Sequence, residues 1–218
     1  MTIIIDCIAD LHGFYPKLVG GDLLIIAGDL TAKDDNEGWV KFENWLFNAD
    51  YKEKILIAGN HDNFLQSTDE HKMWKYWDKI PNVTYLCDSG VELEGLKIWG
   101  SPWTTKFPGM NPHCMAFTVE EDEQLAEKWD LIPNDTDILI THSPRLDCLD
   151  MTIDGTSVGS NSLVDAIIRC RNLKLHVYGH VHEAYGTDRF GGVKFVNCSH
   201  VNERYKPVNP PIRCYYDL

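Results

Sequence analysis

The chain has 218 residues, 44% hydrophobic with seven Trp, and carries a formal net charge of −13 at pH 7. That length and content suit one globular domain spanning residues 1–218. An acidic surface repels nucleic-acid backbones and anionic membranes, which argues against an extended nucleic-acid surface, and no run approaches the ~18 apolar residues of a membrane span.

In chain order, residues 3–9 read as a buried strand ending in Asp10-Leu11-His12-Gly13. A second strand, Leu23 to Ala27, ends in Gly28-Asp29. Asn36 to Asn48 is predicted helical, with Trp39, Phe42, Trp45 and Leu46 near helical spacing. The apolar run Ile55-Leu56-Ile57-Ala58 stops at Gly59 and delivers Asn60-His61-Asp62. Asp69 to Ile80 reads as a helix with Met73, Trp74 and Trp77 as core contacts. Val83–Leu86, Val91–Leu93 and Leu96–Trp99 read as short strands, the last two joined by a tight Glu94-Gly95 turn. Residues 102–112 form an irregular loop, and Val119 to Trp129 an acidic helix. A strand from Asp137 to Thr141 ends in His142. Ser162 with Asp165 resembles a capping box opening a helix through Arg169. Leu175 to Tyr178 leads into Gly179-His180-Val181-His182, and Val193–Asn197 and Arg213–Tyr216 read as the last strands.

Seven scattered cysteines with no C-x-x-C pair argue for reduced, mostly buried thiols in a cytoplasmic protein rather than a disulfide framework. The N-terminus has no basic n-region, so no signal peptide is expected.

Asp10 and His12, Asp29, Asn60, His142, and His180 with His182 each follow an apolar run, where ligands converge at the carboxyl edge of open α/β sheets. Singly, each has an ordinary structural explanation. Together they form a mixed nitrogen–oxygen donor set that suits Mn, Fe, Zn or Ni better than Mg or Ca. Seven side chains are many for one ion. With one bridging carboxylate they supply four contacts to each of two divalent ions, and Asp29, alone at its strand end, is the natural bridge. Asp10, Asp29 and a bridging hydroxide would cancel three of the four positive charges. The remaining charge would attract a small anionic phosphoester despite the acidic surface.

These motifs resemble the calcineurin-like metallophosphoesterases, whose pattern runs D-x-H, G-D, G-N-H-[DE], an isolated H and G-H-x-H. Gly100-Ser101-Pro102-Trp103-Thr104, Thr141-His142-Ser143-Pro144, the extension through Gly186, and the ending with Asn197, Ser199 and Pro207 to Ile212 look like the metallophosphoesterase domain-containing subgroup. The resemblance implies an α/β fold, a four-layer α-β-β-α sandwich of two facing mixed sheets flanked by helices. It implies that Asp10, His12 and His182 bind a first metal and Asn60, His142 and His180 a second, with Mn favoured and Asp29 bridging. His61 would be the non-ligand histidine that protonates the departing alkoxide, and Asp62 would hold its imidazole. The bridging hydroxide would attack in line. The implied activity is hydrolysis of small phosphodiesters, including cyclic nucleotides. The alternatives are a phosphomonoesterase or nucleotide phosphatase, or a non-catalytic binding protein on the same fold. Arg145 is a candidate phosphate contact. Trp103, Phe107, Asn111 and His113 are candidates for a substrate-binding face, with loop packing as the competing explanation. His71, His176 and His200 read as structural.

Overall fold

Two sheets carry the architecture of the computed structural model, which describes residues 2–68, 70–107 and 109–218, and only the backbone of 70, 71, 73 and 74. The expectations for the side chains of Met73, Trp74 and His71 therefore lie outside the described residues, whereas Trp77 is buried as expected.

The first sheet contains β1 (Thr2–Ile8), β2 (Gly21–Ala27), β3 (Tyr51–Ile57) and β4 (Val83–Tyr85), closed at the other edge by β13 (Ile212–Asp217); its order is β13-β1-β2-β3-β4. The second contains β5 (Ser89–Leu93), β6 (Leu96–Ser101), β9 (Ile138–Thr141), β10 (Leu175–Tyr178), β11 (Gly186–Phe190) and β12 (Val193–Asn197), in the order β11-β12-β10-β9-β6-β5. The central strands of both sheets are parallel, and β13, β11 and β5 pair antiparallel at the edges. Two short strands, β7 (Thr104–Thr105) and β8 (Thr118–Val119), pair outside the main sheets.

Alternation decides which face each residue serves. Ile5, Cys7, Ile25, Ile57, Ile140 and Val177 meet in the core between the sheets. Ile8, Leu24, Ile26 and Leu56 point the other way, beneath α1 (Asn36–Phe47), α2 (Asn63–Ser67) and α3 (Glu70–Trp77). Leu139, Tyr178 and Phe195 do the same on the outer face of the second sheet, under α4 (Asp122–Trp129) and α5 (Asn161–Arg169). The result is the expected four-layer α-β-β-α sandwich. Fully burying such an aliphatic side chain stabilises by about 1.5–3 kcal/mol.

The β5–β6 hairpin turns at Glu94-Gly95 with both φ angles positive, as a two-residue turn matched to strand twist requires. One helix start differs from expectation. The side chain capping α5 is Ser160, whose Oγ accepts the Leu163 N–H at 3.2 Å, while the Ser162 N–H donates to Asp122 at 2.8 Å. Asp122 and the Trp129 indole anchor that first turn two residues earlier. No disulfide joins cysteines among the described residues. No helix among the described residues is long and apolar enough to cross a membrane.

Candidate metal centre and active site

The carboxyl ends of β1, β2 and β3 bring Asp10, His12, Asp29, Asn60 and His61 to the same end of the sandwich as His142, His180 and His182, which follow β9 and β10. Beyond the strands, the Asp10 N–H donates to the Gly28 carbonyl at 3.0 Å and the His12 N–H to the Asp29 carbonyl at 3.1 Å, so the two loops stay paired. An isolated parallel bridge, Ala9 with Ser199, ties the end of β1 to the segment after β12 in the other sheet. Asp10, His12, Asp29 and His180 all have φ between 41° and 69°. Such left-handed backbone is uncommon outside glycine, and its strain gathers at functional sites.

Two donor groups result. Asp10, His12, Asp29 and His182 place one ligand atom each within 4.8 Å of one another, and all four residues are buried. The His12 and His182 Nε2 atoms lie 3.2 Å apart, and His182 Nε2 lies 3.5 Å from Asp10 Oδ1. In the other group, Asn60 Oδ1 sits 3.0 Å from His142 Nε2 and 3.0 Å from His180 Nδ1. The two Asp29 oxygens face different groups: Oδ2 is 3.6 Å from His12 Nε2, and Oδ1 is 3.5 Å from His142 Nε2.

The second group shows directly why a cation fits. His142 Nδ1 lies 2.9 Å from the Ala27 carbonyl, which can only accept, so Nδ1 carries the hydrogen. The neutral ring then presents a lone pair at Nε2. Asn60 Nδ2 donates to the Cys114 carbonyl at 3.0 Å, which turns Oδ1 inward. Lone pairs from His142, Asn60 and Asp29 thus converge with no hydrogen between them. In the metal-free chain a proton fills this role. Burial opposes a charge on His142, but the Asp29 carboxylate overrides it and lifts the imidazole to about 9. Burial also pushes Asp10 and Asp29 upward; the His182 imidazole brings Asp10 down to about 2, and His142, His61 and His12 hold Asp29 well below the usual carboxylate range. Burial pushes His12 down to about 4 and, with His142 beside it, His180 down to about 3.

The glycines before two donors make space. A Cβ on Gly59 would collide with Asp29 Oδ1 and lie 2.7 Å from His142 Cε1; one on Gly179 would collide with Asp10 Oδ2 and lie 2.6 Å from Ala9 Cβ. Gly59 is absent from the positive-φ glycines, so it is needed for room rather than for backbone freedom.

His61 ligates neither group in this arrangement. Its ring stacks edge-on against His12 with centroids 4.5 Å apart, its Nε2 is 3.8 Å from Asp29 Oδ2, and it lines a cavity of about 500 Å³. Asp62 corrects an expectation. Its carboxylate does not hold the His61 imidazole; it accepts peptide N–H groups from Asp29 at 3.0 Å, Leu30 at 3.1 Å and Gly59 at 2.7 Å. The carboxylate is thus committed to peptide donors of two loops. Burial and the Asp29 charge push the Asp62 carboxyl well above the usual range, against the pull of these donors.

The expected substrate contacts are mostly displaced. Arg145 turns to the outer face of the second sheet, its guanidinium 5.4 Å from the Phe195 ring centroid, because the Arg145–Ser160 bridge commits its backbone there. Trp103 donates its indole N–H to Asp88 at 2.8 Å and packs on Phe117. Asn111 caps the His113 N–H at 3.0 Å, the His113 carbonyl accepts from Asn63, and neither residue lines the cavity. Phe107 does line it, along with Ile153, Val158, Glu183, Glu203 and Tyr205.

Several contributors were hidden in the sequence. Ser199 Oγ lies 2.7 Å from Asp10 Oδ2, and the His180 N–H donates to the same oxygen at 2.9 Å. Asn197 donates to the Val181 and Leu149 carbonyls at 2.9 and 3.0 Å, holding the His180–His182 turn. Both residues belong to the ending that carries the subgroup resemblance, but spacing alone assigns them no role. Tyr205 packs on His12 and His182, with centroids 4.8 and 5.0 Å away.

Comparison with known proteins agrees with this geometry. A family model described as calcineurin-like phosphoesterase matches residues 4–184. The chain is 36% identical over 228 residues to metallophosphoesterase domain-containing protein 1 from Homo sapiens, covering 94% of this chain and 68% of that protein. It is 32% identical over 234 residues to the UPF0046 protein T07D4.2 of Caenorhabditis elegans, covering 94% of this chain and 58% of that one. Among solved structures, TT1561 of Thermus thermophilus shares the fold at a TM-score of 0.56 and 15% identity, over 90% of this chain and 89% of that one. A dimetal phosphatase from Danio rerio shares it at 0.51 and 11%, over 89% and 86%. The protein is a member of the calcineurin-like phosphoesterase family.

Proposed function

We propose that this protein is a dinuclear-metal phosphodiesterase acting on small phosphodiesters. The observation that carries the reading is the division of Asp29, whose two oxygens face two separate donor groups. Asp10, His12 and His182 would hold one divalent ion, and Asn60, His142 and His180 the other, with Asp29 shared. The mixed nitrogen–oxygen set favours Mn²⁺, with Fe, Zn or Ni as further fits. When bound, the two ions supply the Lewis acidity that makes a water strongly nucleophilic and offsets charge on the phosphoryl group.

The chain's own residues do the rest. His61 lies in the cavity wall outside both donor groups, where its imidazolium can give a proton to the departing alkoxide. Asp62 fixes the His61 loop through the Gly59 and Asp29 peptides. Phe107, Ile153 and Val158 give the cavity mouth exposed apolar surface that suits the organic half of an ester.

Charge favours a diester. The lining includes Glu183 and Glu203 and, among the described residues, no Lys or Arg. A dianionic monoester is repelled more strongly by this mouth than a monoanionic diester. Cysteines without disulfides suit a reducing, cytoplasmic setting. The test compares bis-p-nitrophenyl phosphate with p-nitrophenyl phosphate on Mn²⁺-loaded protein. Faster diester turnover is expected. Faster monoester turnover would make the protein a phosphomonoesterase, and two bound metals without hydrolysis of either would leave a binding protein.

A further inference from the structure

The geometry points to Tyr205 as a substrate-contacting residue, whose phenol hydroxyl donates a hydrogen bond to a non-bridging oxygen of the phosphoester. This rests on the phosphoesterase reading above. With Arg145 committed to the outer face, the cavity lining holds no cationic side chain among the described residues. A phosphoryl oxygen there must be met by neutral donors or by His61.

Tyr205 is presented for that task by a built loop. Val201 and Pro207 form an antiparallel bridge at its base. Asn202 Oδ1 accepts the N–H groups of Arg204 and Lys206, each at 3.0 Å, and the Tyr205 N–H donates to the Asn202 carbonyl at 2.8 Å. The loop holds Tyr205 at φ +54°, a region aromatic residues seldom adopt. Its ring then lies against His12 and His182 and 6.4 Å from the His61 centroid, on the wall shared by the first donor group and the proton donor. The hydroxyls of Tyr15, Tyr178 and Tyr185 donate to backbone carbonyls. That of Tyr205 bonds no described residue, and the side chain remains 48% exposed at the cavity. A phenol held rigidly with an unspent donor suits a singly charged ester, since it supplies direction without attracting a second negative charge.

Tyr205→Phe removes the hydroxyl and keeps the ring. In the Mn²⁺-loaded protein we expect unchanged metal content by elemental analysis. The Kd for inorganic phosphate by calorimetry and the KM for bis-p-nitrophenyl phosphate should each rise about tenfold, a usual worth of a hydrogen bond to a charged acceptor. kcat should stay within about threefold, the pattern of a contact made equally in ground and transition states. Tyr205→Ala should show the same loss with weaker metal retention, because the packing on His12 and His182 goes too. Wild-type phosphate affinity and KM in Tyr205→Phe would overturn the assignment, as would metal loss in that variant, which would make the residue structural. If the wild type binds phosphate but hydrolyses no ester, the phosphoesterase reading fails while the phosphate Kd still judges Tyr205. If it does neither, both fail.

Discussion

Asp29 and Asp62 clasp each other's loops: the Asp29 N–H donates to Asp62 Oδ2 at 3.0 Å, and the Asp29 carboxylate accepts the N–H of His61, the neighbour of Asp62, at 2.9 Å. Each carboxylate thereby holds the backbone that carries the other's partner. Asp62→Ala should lower the stability of the metal-free protein by about 2–4 kcal/mol, as expected for losing several bonds to a buried carboxylate. Chemical denaturation measures this. Wild-type stability with lowered turnover would instead return Asp62 to the role of orienting His61.

Asp29→Asn should weaken both metals together. An amide offers one oxygen where the carboxylate offers two, and the two oxygens face different groups. Elemental analysis after desalting should find neither site filled. Loss of a single ion would refute the bridge.

His61→Ala should keep both metals and lower kcat by about 10²–10⁴, the usual worth of general acid catalysis. The loss should be largest for an alkyl ester with a poor leaving group and smallest for p-nitrophenolate, which departs without a proton. A uniform loss across leaving groups would remove the acid role.

Gly179→Ala should destabilise the fold by about 1–3 kcal/mol, the usual cost of overpacking, and also reduce metal occupancy. The new methyl needs the space held by the Asp10 carboxylate and the Ala9 Cβ. A variant with wild-type melting temperature and two bound ions would show that this end of the sandwich yields more than its packing implies.

His176 predicts an acid-sensitive core. The Thr141 hydroxyl donates to the Ser143 carbonyl, so its oxygen accepts from His176 Nε2 at 2.8 Å, and Nδ1 is left buried without a partner. Burial holds the ring neutral down to about 3. An unfolded imidazole takes a proton near 6.5. Between these values the unfolded chain binds more protons, so stability falls as the pH drops below about 6.5, by up to about 1.4 kcal/mol per pH unit. Denaturation of metal-free wild type and His176→Gln from pH 7 to 4 should show a shallower slope in the variant. Parallel slopes would sink the assignment.

The donor set was legible because chemistry and position coincide: a His, Asp or Asn directly after an apolar run has few other reasons to be there. The sandwich was legible through alternation in strands such as β1 and β3. β11 was not, because its residues Thr187 to Phe190 are exposed and its pairing with β12 is written in backbone bonds that leave no hydrophobic period. The direction of Arg145 was hidden for a related reason. Its near neighbour His142 lies in the site, but the turn through Ser143 and Pro144 separates their environments. Asp62 misled because adjacency to His61 suggests a side-chain pair, while its carboxylate reaches back to peptides of its own loop and of β2's end. Tyr205 depends on a left-handed tip that no turn motif in Asn202 to Lys206 announces.

The Ala9–Ser199 bridge joins the chain at the end of β1 in one sheet to the chain just after β12 in the other, where the donors gather. Each proposed ion would draw ligands from both sheets: Asp10 and His12 with His182, and Asn60 with His142 and His180. Metal affinity therefore includes the work of keeping the two halves of the sandwich in register. Cations and cohesion become one thermodynamic quantity, and free metal at a hundred times its Kd would add about 2.7 kcal/mol to the fold. Chelation, on this view, unbuttons the protein at the end where it would do its chemistry and leaves the far end of the inter-sheet core to hold alone.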